Sequence, residues 1–95
     1  MVTHIVIFIW IPEATGEQVV ALVHALDRLA AQLSAIATIK HGRDLSFRDG
    51  NGDYALVATF ADQADWDAYQ CDPAHKAFVA DFVIPIQASR LTIQF

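Results

Sequence analysis

Cysteine occurs once among the 95 residues of this chain. Cys71 therefore has no partner for an internal disulfide, and its solitary presence agrees with a reducing compartment. Proline and glycine are sparse at three and four residues, and no linker, repeat or low-complexity stretch divides the chain. It reads as a single domain spanning residues 1–95. No apolar run approaches the roughly 18 residues of a membrane span. Met1, Val2 and Thr3 lack the positive start and small-residue cleavage site of a signal peptide, so the expected location is cytoplasmic. Lys and Arg number six against eleven Asp and Glu, a formal charge of −5. Cations scattered singly form no stripe to neutralise phosphates, which argues against nucleic acid and anionic membranes as partners.

Motifs for several chemistries are missing as well. There is no glycine-rich phosphate loop and no GxSxG elbow, so nucleotide and serine-hydrolase chemistry have no support. Cys71 and His75 stand four apart, but no second Cys or His pair has ligand spacing, and Asp72 between them would raise rather than lower the thiol pKa. Neither a metal site nor a nucleophilic cysteine is expected, and no cofactor is implied.

What the chain has in excess is hydrocarbon. Hydrophobic residues make up 55% and charged residues 18%, against averages of about 45–50% and about 25%. The first strand, His4 to Ile11, is apolar on both faces: Val6, Phe8 and Trp10 share one with His4, while Ile5, Ile7, Ile9 and Ile11 form the other. Helices of one small chain can cover only one face. An exposed isoleucine stripe invites aggregation, so a second copy is expected to cover it.

Pro12 ends that strand, and Thr15 with Gln18 has the form of a capping box opening a helix to about Leu33. Its apolar residues Val19, Leu22, Val23, Leu26, Ala30 and Leu33 recur at helical spacing. Ile36 to about Phe47 reads as a second strand, in which Gly42 marks a bulge or a close contact. The turn Asp49-Gly50-Asn51-Gly52 leads at once into the strand Tyr54–Phe60, forming a hairpin. Asp62 caps a short helix to about Tyr69, and Asp72-Pro73 opens another that reaches about Val83, where Pro85 stops it. Gln87 to Phe95 alternates as a half-buried strand. The order βαββαβ implies a ferredoxin-like α+β sandwich with helices on one face of a four-stranded antiparallel sheet. Pairing two bare faces would give a dimeric α+β barrel.

Polar and reactive side chains crowd between Tyr69 and Phe78. His75 falls in a first helical turn, where the macrodipole favours a neutral ring able to accept a proton; it reads either as a general base or as a histidine bonded to a neighbouring loop. His4, on the buried face of its strand, needs a partner or a wet cleft and is the candidate second group. Tyr54 tucks its ring into the core and sends its hydroxyl to one acceptor. His24 reads as solvated, and His41 has no evident companion.

Four segments together resemble the stress-responsive A/B-barrel family: His4-Ile5-Val6, Gly42-Arg43-Asp44-Leu45-Ser46, Tyr54-Ala55-Leu56-Val57 leading to Phe60, and Asp72-Pro73-Ala74-His75-Lys76-Ala77-Phe78. The resemblance covers almost the whole chain and implies subunits that dimerise through their sheets. Polyketide cyclases of the olivetolic acid type in that family perform a cofactor-free intramolecular aldol condensation. By that resemblance His75 is the catalytic histidine, Tyr69 its preceding tyrosine and His4 the first-strand histidine, whereas Tyr54 replaces a third-strand histidine and Leu26 a first-helix tyrosine. The expected site is an apolar pocket between the first helix and the sheet, lined by Val6, Phe8, Leu22, Leu26, Leu56 and Phe78, with Tyr54 at its wall. His75, His4 and Tyr69 converge at its mouth. The expected ligand is a hydrophobic small molecule, and the expected reaction, if any, is cyclase-like proton transfer. The alternatives are a non-catalytic stress or ligand-binding protein, and a cofactor-free monooxygenase on the same fold.

Overall fold

Alternation in the first strand becomes two unlike sheet faces in the computed structural model, which describes residues 1–95. Strand β1 (Val2–Trp10) is followed by helix α1 (Gly16–Gln32), strands β2 (Thr38–Arg43) and β3 (Tyr54–Phe60), helices α2 (Gln63–Cys71) and α3 (Pro73–Phe78), a π-helical turn (Val79–Val83) and strand β4 (Gln87–Gln94). The four strands form one antiparallel sheet in the order β2-β3-β1-β4. This is the ferredoxin-like α+β fold expected from the element order.

On the helix side, His4, Val6 and Phe8 of β1 and Tyr54, Leu56, Ala58 and Phe60 of β3 are buried, a strict period of two. They meet Leu22, Ala25, Leu26 and Leu29 of α1, spaced to fall on one helical stripe. The capping box forms: Thr15 Oγ1 accepts from the Gln18 N–H at 3.1 Å, and Gln18 Oε1 accepts from the Thr15 N–H at 2.9 Å. Asp62 caps α2, its Oδ1 accepting from the Asp65 N–H at 3.0 Å. Extended backbone at Asp72, before Pro73, separates α2 from α3, and Asp72 Oδ1 accepts from the N–H groups of Ala74 and His75.

The other face lies open. Ile7 and Ile9 of β1, Leu91 and Ile93 of β4 and Phe95 just beyond it are exposed, and Ile5 stands between Val57 and Ile93 in the ladder. The chain exposes 5939 Å² in all, whereas a monomer of its 10.5 kDa exposes about 5,400 Å². Ile11 falls outside this stripe: β1 ends at Trp10, and Ile11 is half-buried with its N–H donating to the Ile86 carbonyl at 2.8 Å.

The second strand is shorter than expected. Ile36 sits in the turn that follows α1, and Leu45 and Phe47 are exposed in a ten-residue loop rather than paired. Asp44 ends the pairing. Its carboxylate accepts from the Ser46 N–H and from Asn51 Nδ2, while Ser46 adopts φ 59°, a left-handed turn no strand contains. Gly42 is an ordinary strand residue opposite Ala55, with open space where a Cβ would lie. The close contact occurs at Gly52, where a Cβ would overlap Ile7 Cγ2.

Candidate active site

Because β4 forms an edge, its helix-side residues Arg90, Thr92 and Gln94 remain exposed. Opposite them on β1 stand Phe8, Val6 and His4 in that order. Helices α2 and α3 and the π-helical turn arch over this strip and leave a half-open cavity of about 520 Å³. Its walls are Val6, Phe8, Leu56, Phe78, Val79, Val83 and Ile84, with the polar side chains of His4, Trp66, Gln70, His75, Lys76, Arg90, Thr92 and Gln94.

The cavity therefore lies beneath α3 and the π-helical turn, not beneath α1. Leu22 and Leu26 are fully buried in the solid core and do not line it. The α1 stripe packs so closely that no space remains there for a ligand. Tyr54 is buried on the same helix-facing side of the sheet, toward β2 and α1 and away from the cavity, its hydroxyl 2.6 Å from His41 Nδ1, while His41 Nε2 lies 2.7 Å from Asp27 Oδ1. His41 thus has two companions, one on α1 and one on β3. The expected wall residues Val6, Phe8, Leu56 and Phe78 do surround the cavity.

His75 and His4 both border it, and Tyr69 stands behind them. The Tyr69 and His75 rings lie 4.1 Å apart between centroids, tilted by 38°; the Tyr69 and Trp66 rings meet His4 edge-on at 6.2 and 6.4 Å. Tyr69 itself is 2% exposed and forms no part of the cavity wall. Burial pushes its phenol up to about 12, so it keeps its proton at all ordinary pH values. His75 is pushed down to about 4, first by burial, then by the nearby His4 and Arg90, with Asp72 opposing. At neutral pH it is an uncharged imidazole, and its buried Nδ1 has no partner within the chain. Burial and Arg90 lower His4 as well. The Gln94 amide donates to His4 Nδ1 at 2.9 Å, which leaves the His4 proton on Nε2.

Sequence reasoning had no part for Trp66, Gln70, Lys76, Arg90, Thr92 or Gln94. The alternation of β4 put the last three on one face; only the register against β1 reveals that this face meets His4. No three His, Cys, Asp or Glu side chains converge in a way that could hold a metal ion, and no helix is long and apolar enough to cross a membrane.

A ferredoxin-like α+β domain with a histidine-bordered cavity between its helices and an edge strand is thereby defined. The chain matches the stress responsive A/B barrel domain over residues 2–95 and belongs to that family. A dimeric ferredoxin-like protein of unknown function from Thermobifida fusca is 34% identical, with 99% of this chain covering 88% of that one at a TM-score of 0.91. An Arabidopsis thaliana protein is 18% identical, with coverage of 100% and 93% and a TM-score of 0.84. The hydroxynitrile lyase of Passiflora edulis is 20% identical, with coverage of 99% and 90% and a TM-score of 0.83. No curated protein matches the chain.

Proposed function

We propose that the chain forms a homodimer through its open sheet face and binds an apolar small molecule in the cavity, where His75 serves as general base in cofactor-free chemistry beside a carbonyl group. The observation that carries this reading is a neutral imidazole, its buried Nδ1 unpartnered, whose ring borders a largely apolar cavity. A volume of about 520 Å³ falls in the range of roughly 300–1,000 Å³ usual for small-molecule sites. In a cyclase-like step His75 takes a proton from the carbon next to the carbonyl, and the Nε2–H of His4 supports the oxygen on which charge collects. Tyr69, pressed against the His75 ring and absent from the wall, is a positioning residue. The same scaffold hosts a lyase in Passiflora edulis.

The test is deuterium exchange at the methylene of phenylacetone in heavy water, followed by NMR. Wild type should accelerate exchange, and His75→Ala should lose about 100-fold or more of that acceleration while its cavity resonances still shift on adding the ketone. Tyr69→Phe keeps the ring that backs His75 and should retain most of the rate. Equal exchange in wild type and His75→Ala would remove His75 from the chemistry. One observation favours a second reading, binding without turnover: an imidazole with a pKa of about 4 is always free to accept a proton but attracts one weakly. Ligand-induced shifts without accelerated exchange in wild type would establish that reading.

A further inference from the structure

The charge around the cavity runs against the charge of the chain. Asp and Glu outnumber Lys and Arg by eleven to six, yet the cavity wall contains Lys76 and Arg90 and no carboxylate at all. Arg90 has no acidic partner: no carboxylate lies within salt-bridge distance of its guanidinium. The nearest carboxylate to His75, that of Asp72, is engaged by the N–H groups of Ala74 and His75. Arg90 projects from the helix side of β4, directly across from Phe8. A planar cation with five donors therefore stands at the rim of an apolar chamber, with nothing from its own chain to bind.

We infer that the ligand of this cavity is an amphipathic acid, a flat apolar body with a carboxylate that Arg90 clasps at the rim beside His4 and His75. Lys76 adds a second positive charge across the opening. Arg90 is then the specificity-determining residue of the site. Its fork matches the two oxygens of a carboxylate, while Phe8, Phe78 and Val83 receive the hydrocarbon. A net charge of −5 repels anions at long range, so any preference for them must arise locally at this rim. The bound carboxylate also has a consequence for His75. Arg90 is one of the groups that hold the imidazole pKa down, and an anion seated on the guanidinium offsets that influence, so that the ligand itself makes the base more willing to take a proton.

This inference rests on the proposed cavity but not on catalysis by His75. The test compares 2-naphthoate with 2-naphthamide, two bodies of one shape that differ in charge, by calorimetry and by NMR shifts of His75 and Val83. Wild type should bind the carboxylate at least about tenfold more tightly than the amide. Arg90→Gln should abolish that preference, and the shifts of the Val83 resonances that the amide still causes show the variant to be folded. Equal affinities in wild type, or a preference that survives in Arg90→Gln, would overturn the inference while the cavity reading stands. If neither compound shifts the cavity resonances, the cavity reading falls and takes this inference with it.

Discussion

His75 owes its chemistry to what surrounds it. Burial, His4 and Arg90 all oppose its protonation and only Asp72 favours it, so the ring that titrates ordinarily at 6.5 titrates here at about 4. Between those two values the unfolded chain binds a proton at this position and the folded chain does not. Stability is accordingly intact above about 6.5 and falls as the pH drops toward about 4. Chemical denaturation followed from pH 7 to 4 should show this decline, and His75→Asn should flatten it. The buried Tyr54 hydroxyl presents a different case. It joins His41 and Asp27 in a chain of short contacts that ties α1 to β2 and β3, so Tyr54→Phe should lower the unfolding free energy by about 1–2 kcal/mol without affecting ligand binding. Tyr54 was legible as a core tyrosine with one acceptor because its ring lies on a buried strand face. Its partner was not, because His41 and Asp27 meet only once α1 is laid across the sheet.

Elements whose signals are local were the readable ones. The box Thr15–Gln18, the cap at Asp62 and the pair Asp72–Pro73 each depend on backbone groups within three residues, and all three open helices. Thr15→Ala removes an N-cap and should cost about 1 kcal/mol in thermal or denaturant unfolding. The end of β2 was misread because Leu45 and Phe47 have the composition of a strand, whereas the Asp44 carboxylate, by binding Ser46 and Asn51, folds them into a loop. The cavity opens beneath α3 and the π-helical turn, rather than beneath α1 as expected, for a related reason. Helical periodicity shows which face of α1 is buried, but not whether a gap lies beneath it. Gly52 offers a test at this scale. A side chain there must push Ile7 aside, since a β-branched residue fixed in a strand has little room to yield. Gly52→Ala should therefore destabilise the loop and speed amide exchange at Asp53, whose N–H is held by the Phe8 carbonyl, while Gly42→Ala, with open space around it, should not.

At the scale of the molecule, hydrocarbon on the bare sheet face dominates. Ile7, Ile9, Leu91 and Ile93 lie side by side across β1 and β4, a surface that burial in a symmetric pair would stabilise at roughly 25 cal/mol per Å². Ile7→Asp should yield a monomer in light scattering at micromolar concentration, or aggregates if the variant protomer cannot stand alone; an unchanged dimer would show that the copies meet elsewhere. This part of the architecture was plain in the first strand, because a single segment bore two apolar faces. That arrangement has one more outcome. Since His4, Val6 and Phe8 look toward the chamber while Ile5, Ile7 and Ile9 look away, insertion or loss of one residue within β1 would exchange the two sets along the rest of the strand, turning isoleucines inward and aromatic groups outward together. A single replacement in β1 thus disturbs one face only, but a change in its length would disturb chamber and open face at one stroke, so natural variation in length is to be sought in the Asp44–Asp53 loop instead.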